Sequence, residues 1–280
     1  MNNEFIEQTL KILKYTDLPI RFPEIIEVRM ANDKRNMHMV LEGASGGLRL
    51  KDNFVLQAMI FFGLMDAYID LHSPELEGER FLDKYKKLAA SNDSSIMAKE
   101  IYRLLRILRN AAIHSRTAIS LDEKNIEATT TDDSKLYLSI TGLELIYTFV
   151  LLLIQEDNSS DEYKTSLLRT YYDGIGQAII FLKDKAGNHL TDISTAPRLK
   201  REVRYRVQNP VFQVDSDSQS LLIKKYTLNV SEATHRDYEY VVLMNNFSYL
   251  IPNEVLDESG KIGLKDINKW ACKSVMGPIP

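Results

Sequence analysis

The run Arg109-Asn110-Ala111-Ala112-Ile113-His114 contains the residue types that metal-free phosphodiester cleavage calls for. Cutting RNA through its own 2′-hydroxyl needs a group that moves a proton and a positive charge that stabilises the phosphorane. Histidine carries protons near neutral pH, and a fixed guanidinium suits phosphate oxygens. On residue type, His114 would move protons, Arg109 would stabilise the phosphate, and Asn110 would orient the phosphate or hold the histidine ring.

The spacing places these groups on a helix. At about 100° per residue, Ile101, Leu104, Leu105, Leu108 and Ala112 fall within one arc of roughly 100°, the expected core face. Arg103, Asn110 and His114 cluster opposite, flanked by Arg106 and Ile107. Arg109 sits about 140° from His114, so the two side chains do not share a face of one straight helix. A long arginine stem, a frayed last turn or a second copy of the helix is needed to bring them together. The small Ala111 and Ala112 permit close approach of such a partner. The alternative is that Arg109 and His114 are cations solvating a helix end, where they favour the dipole.

The segment Leu105-Arg106-Ile107-Leu108-Arg109-Asn110-Ala111-Ala112-Ile113-His114 resembles the Arg-x(4–6)-His motif of HEPN domains, in the form with four intervening residues and Asn after Arg. The resemblance covers about 130 residues, including the preceding helix, and does not extend to the C-terminal third. It implies a helical bundle that dimerises, so that two motifs form one metal-independent endoribonuclease site from Arg109, Asn110 and His114 of each chain. It also implies a toxin or phage-defence setting, with RNA as substrate and room for a neutralising partner protein. Some members of the family keep the bundle without cleaving anything. The competing expectation is therefore a non-catalytic interaction or dimerisation module that binds a protein or nucleic acid.

Other candidates surround this helix. Asp66 and Asp70 lie one turn apart, and Asp66 is placed either as a supporting partner of Arg109 or on a solvated helix face. In Arg198-Leu199-Lys200-Arg201-Glu202-Val203-Arg204-Tyr205-Arg206-Val207, an extended strand turns Leu199, Val203, Tyr205 and Val207 inward. Arg198, Lys200, Arg204 and Arg206 then face outward and, with Arg106, form a candidate RNA-binding set acting by charge. A row of this kind also serves as a solvated or edge-protecting strand face. The remaining histidines, His38, His72, His189 and His235, show no metal-ligand spacing, and no metal or cofactor is expected. Cys272 reads as a small buried residue. Gly43-Ala44-Ser45-Gly46-Gly47 lacks the Gly-Lys-Ser/Thr ending of a phosphate-binding loop and reads as a turn.

These residues need a framework. The chain has 280 residues, 44% of them hydrophobic and 26% charged, with a net charge of -4. That is the profile of a globular protein without bulk affinity for polyanions, so phosphate contact must come from a local basic face. One cysteine rules out an intramolecular disulfide and fits a reducing, cytoplasmic compartment. The start, Met1-Asn2-Asn3-Glu4-Phe5, has no basic stretch followed by an apolar run, so no signal peptide is expected. The longest apolar run, Leu145 to Ile154, is about half of the roughly 20 residues a membrane helix needs.

The expected fold class is α+β: a HEPN-like helical bundle with a β-hairpin insertion, followed by a smaller β-rich region. Residues 1–51 form a preamble in which 24–43 is ambiguous between helix and strand. Residues 52–190 form the helical domain, with Asp52 capping a helix to His72. A helix over 81–90 follows, then a long one capped by Ser94 or Ser95. Short β-like stretches come next near 118–121, 126–129 and 136–138. Two helices over 142–155 and 161–185 complete the domain, with Ala186-Gly187-Asn188 as a stop. Residues 191–280 form the β-rich region, with strands near 199–207, 221–230 and 238–249 and a short helix near 264–272.

Overall fold

A computed structural model describes residues 6, 9–11, 13, 25–31, 34–38, 50, 53–114, 119–200, 204–224 and 237–274. The expected turn at 43–47, Asp52, His235 and residues 201–203 lie outside this set, as does the side chain of His114. In chain order the elements begin with β1 (Ile25–Ala31), β2 (Lys34–His38), α1 (Phe54–His72), α2 (Phe81–Lys87), α3 (Asp93–His114), β3 (Ile119–Leu121), β4 (Asn125–Thr129) and β5 (Lys135–Ser139). They continue with α4 (Ile140–Ile154), α5 (Asp161–Ala178), β6 (Ile179–Lys183), β7 (Arg204–Gln208), β8 (Phe212–Asp215), β9 (Ser220–Ile223), β10 (Asp237–Met244), β11 (Phe247–Pro252), β12 (Lys261–Gly263) and α6 (Leu264–Ile267). The fold is α+β. It divides into two compact units, one of Met1–Arg21, Gly43–Gln155 and Tyr171–Ser194, the other of Phe22–Glu42, Glu156–Thr170 and Thr195–Pro280.

The first unit is built on α1 and α3. Asn53 caps α1, its Oδ1 accepting from the Leu56 N–H at 3.0 Å. The helix stops where Pro74 follows Ser73, since a proline cannot continue the backbone ladder. Phe61, Leu64 and Met65 are wholly buried, each worth about 1.5–3 kcal/mol of transfer free energy. Phe61 stacks on Tyr147 of α4 with ring centres 4.0 Å apart. Among the described residues, α1 is the helix long and apolar enough to cross a membrane by length and composition. It also carries Asp66 and Asp70.

The cap of α3 is Asn92 rather than Ser94 or Ser95. Asn92 Oδ1 accepts from the Ser95 N–H at 2.9 Å, and Ser95 Oγ accepts from the Asn92 N–H at 3.1 Å. The reciprocal pair satisfies two backbone donors that a helix start leaves open. Strands β3-β4-β5-β6 form an antiparallel sheet in that order. The inward residues Ile126, Ala128, Leu136 and Leu138 alternate along β4 and β5 and are buried, as a one-sided sheet requires. α3 packs on these two strands.

The helix expected over 161–185 ends at Ala178, and 179–183 are strand β6. The β-branched Ile179 and Ile180 followed by Phe181 favour the strand over another turn of helix. Ala186-Gly187-Asn188 is accordingly a turn after a strand, with Gly187 at φ 133° and paired with Asp184.

In the second unit, a mixed sheet runs β11-β10-β7-β1-β2. β7 is central and parallel to both β10 and β1. The ambiguous 24–43 stretch thus supplies strands β1 and β2, and part of the expected preamble belongs to the sheet of the C-terminal region. The expected strand over 238–249 is a hairpin, β10 and β11, turned at Asn245 and Asn246 with φ 51° and 65°. Two consecutive positive φ values mark the tight turn that suits the twist of paired strands. A small antiparallel sheet, β12-β9-β8, completes this unit.

Candidate functional site at the end of α3

Helix α3 is buried along Ile101, Tyr102, Arg103, Leu104, Leu105, Arg106, Ile107 and Leu108 without interruption. Arg109 and Asn110 are the first half-exposed pair after that stretch, Ala111 is buried again, and Ile113 is 40% exposed. The helix leaves the core at the motif. His114 is its last residue.

The side of α3 opposite Leu104 and Leu108 is therefore not the polar, solvent-facing strip that the helical arc predicts. Arg103 and Arg106 point into the unit and hold the turn after β6. Arg103 Nε lies 3.1 Å from Asp184 Oδ2, and its Nη1 reaches Glu100 Oε2 at 3.0 Å and the His189 carbonyl at 3.1 Å. Its Nη2 donates to the Gly187 carbonyl. Arg106 Nη2 meets Asp184 Oδ2 at 2.8 Å. Burial pushes the Asp184 carboxyl up, but Arg106 beside it and hydrogen bonds from Ser134 and the Lys185 backbone outweigh this and hold it below the ordinary value. Arg106 is 2% exposed, so it does not belong to an RNA-binding surface. Helical periodicity located the apolar face but could not show that β4, β5 and the turn after β6 pack against this helix as well.

Arg109 takes a different environment. Its guanidinium carbon lies 5.0 Å from the ring centre of Phe81 and 5.9 Å from that of Phe62, both within cation–π range. Its Nη1 donates to Asn110 Oδ1 at 3.1 Å. The two rings pack edge to face, 4.7 Å apart at 75°.

Asp66 is engaged elsewhere than expected: its Oδ1 accepts from Lys84 Nζ at 2.7 Å and from the Tyr102 hydroxyl at 3.0 Å. Lys84 also reaches Asp70 Oδ1 at 2.5 Å. Burial would lower the Lys84 ammonium, but its hydrogen bonds and charge pairing with the two aspartates prevail and raise it. Burial and the adjacent Asp66 both push the Tyr102 phenol up. On the neighbouring turn, burial and Glu100 push Tyr85 up to about 12.

Sequence reasoning did not single out Phe62, Phe81, Lys84 or Tyr102. The one available signal was the Asp66/Asp70 spacing, which places two carboxylates on one face of α1 and so asks for a cation.

The second cationic candidate, the row from 198 to 206, separates by depth. Arg198 and Lys200 are exposed and precede the strand. Arg204 is wholly buried. Its Nε lies 3.0 Å from Glu239 Oε2, and its two Nη atoms meet Glu254 at 2.8 and 2.6 Å. Arg206 is half-buried, with Nε 2.6 Å from Glu239 Oε1. Tyr163 donates its hydroxyl to Glu239 as well. Burial pushes the Glu239 carboxyl up, and Arg206, Arg204 and the Tyr163 hydrogen bond together bring it below its ordinary value.

The outward row fails because β7 is the central strand of its sheet rather than an edge, and Glu239 of the adjacent β10, with Glu254, takes up Arg204 and Arg206. Of the expected set, Arg106 and Arg204 are structural, Arg206 is tied to Glu239, and Arg198 and Lys200 retain exposure. Cys272 is buried, as its residue type suggested. No group of three or more His, Cys, Asp or Glu side chains able to hold a metal occurs among the described residues. Neither a family model nor any curated protein or solved structure matches the chain.

Proposed function

We propose that the chain is a HEPN-like homodimeric endoribonuclease that acts without a metal, in the cytoplasm, as a toxin or phage-defence effector. The observation that carries this reading is the emergence of α3 from the core at Arg109 and Asn110, five and four residues before His114. In a composite site, His114 of one copy takes the proton of the 2′-hydroxyl as that oxygen bonds to phosphorus. The bond from phosphorus to the 5′-oxygen breaks, and His114 of the other copy gives that oxygen a proton. Arg109 neutralises the charge gathering on the phosphorane, and Asn110, already bonded to Arg109, orients it.

A contact surface beside the motif supports the dimer. Val55, Leu56 and Met59 at the start of α1 and Ile113 near the end of α3 are all exposed apolar side chains. The helices run antiparallel, as Asp66 meeting Tyr102 and Phe62 meeting Arg109 require, so these residues share one end of the helix pair.

Purified protein should cleave labelled RNA in the presence of EDTA, leaving 2′,3′-cyclic phosphate and 5′-hydroxyl ends. His114→Ala should lower the rate by about 10²- to 10⁴-fold, the usual contribution of a positioned acid or base. Undiminished cleavage by His114→Ala would refute the assignment. The burial of Arg106 and Arg204 favours a second reading, a non-catalytic interaction or dimerisation module, since it thins the surface available to a polyanion. In that case the protein dimerises, cuts no RNA, and recognises a protein or nucleic-acid partner.

A further inference from the structure

α2 has seven residues, too few to hold a helical conformation by propensity alone. It is pinned by Lys84, a lysine with its side chain 2% exposed, inserted between Asp66 and Asp70 one turn apart on α1. Tyr102 of α3 donates to the same oxygen of Asp66. Three helices are therefore tied at one carboxylate. Phe81 lies three residues before Lys84, on the same side of α2, and its ring is the closer of the two on which Arg109 rests.

We propose that Phe81, fixed by the Lys84–Asp66–Asp70 clamp, is a positioning residue for Arg109. Its ring sets where the guanidinium stands at the end of α3. Asp66 thus supports Arg109 through α2 and an aromatic ring rather than by direct pairing. A guanidinium can rest on a ring through its face and meet phosphate oxygens in its plane, so the two contacts are compatible. A rotamer that carries the guanidinium off the Phe81 ring would misplace a catalytic charge, and such misplacement is costly to rate. The consequence for RNA cleavage rests on the ribonuclease reading, whereas the position of Arg109 does not.

The test uses the full chain carrying Phe81→Leu, Phe81→Tyr or Phe81→trifluorophenylalanine. The last keeps the ring's shape and withdraws its π charge, so it serves even if the leucine variant folds poorly. The first readout is the Nε–H resonance of Arg109, assigned by its disappearance in Arg109→Lys. The second is steady-state cleavage of a mixed-sequence fluorophore–quencher RNA in EDTA.

Phe81→Leu should remove the ring-current shift from the Arg109 resonance and lower kcat about tenfold, with KM little changed. Phe81→Tyr should preserve both, and the fluorinated ring should lower kcat in the same direction. A wild type that cuts no RNA, with the resonance still moved by leucine and not by tyrosine, would sink the ribonuclease reading and sustain the positioning role. An unmoved resonance and an unchanged kcat in Phe81→Leu would overturn the positioning role. So would equal kcat for the fluorinated and natural rings.

Discussion

Arg106→Met and Asp184→Ala should lower stability by unequal amounts, although the two residues form one ion pair. Arg106 meets Asp184 through Nη2, but its Nε is buried with no hydrogen-bond partner. Methionine removes the pair and, with it, a stranded donor whose burial costs about 1–3 kcal/mol. Asp184 retains Arg103 at 3.1 Å, the Ser134 hydroxyl at 3.0 Å and the Lys185 N–H at 2.7 Å. Breaking a buried pair costs about 3–5 kcal/mol, so the offset leaves roughly 1–3 kcal/mol for Arg106→Met.

Asp184→Ala has no such offset. It leaves the buried Arg106 guanidinium without the carboxylate it meets, while Arg103 keeps Glu100 and the Gly187 and His189 carbonyls. The full figure of about 3–5 kcal/mol or more is expected. Urea unfolding at neutral pH, with the denaturant slope compared across variants, measures both.

The difference between wild type and Asp184→Ala should also depend on pH. The folded carboxyl titrates below its ordinary value of 3.8, so its contribution is present above that value and disappears as pH falls through the folded one. The gap should hold steady near neutrality and close only below about pH 3.8. A buried guanidinium touches no phosphate, so on the proposed ribonuclease reading Arg106→Met should leave the salt dependence of RNA binding unaltered, whereas loss of a surface contact would reduce the slope by about one unit. Unchanged stability together with a shallower salt slope would refute the structural role of Arg106.

Two further outcomes follow from packing and charge. Glu239→Gln should destabilise the second unit by about 3–5 kcal/mol in equilibrium unfolding, because Arg204 and Arg206 both lose their shared carboxylate. Equal stability would mean that Glu254 alone suffices for Arg204. Gly142→Ala should cost about 1–3 kcal/mol, since a Cβ there would stand 2.6 Å from the Cβ of Ala178. The Ala178 Cβ is fixed to its backbone and has no flexible end to move aside, and a neutral result would show that the start of α4 can shift.

Local signals made much of the helical framework legible. The Pro74 stop, the Asp161 start of α5 and the short polar-bounded strands at 119–121, 125–129 and 135–139 all act within a few residues. What the sequence withheld was coverage. Nothing in Arg103 or Arg106 announces that a turn about 70 residues past the end of α3 will fold over them, because that depends on β6 pairing with β5. β6 was signalled only by its β-branched Ile179 and Ile180, with no glycine or proline directly before them to end α5, and pairing with β5 fixes it as a strand. The same limit governs Arg204. A strand with alternating cations looks one-sided in isolation, and β7 is central only because β1, from the far end of the chain, pairs with it in parallel.

The motif itself illustrates how the two kinds of information combine. Periodicity set Arg109 and His114 about 140° apart and so asked for a second helix. The structure adds that Arg109 is braced from the side by Phe81 and Phe62, and that each neighbouring cation facing the core is neutralised. Arg103 and Arg106 share Asp184, and Lys84 is matched by two aspartates. Arg109 lies against two rings as well, Phe81 at 5.0 Å and Phe62 at 5.9 Å. An aromatic support fixes a guanidinium without cancelling its charge, whereas a carboxylate does both at once.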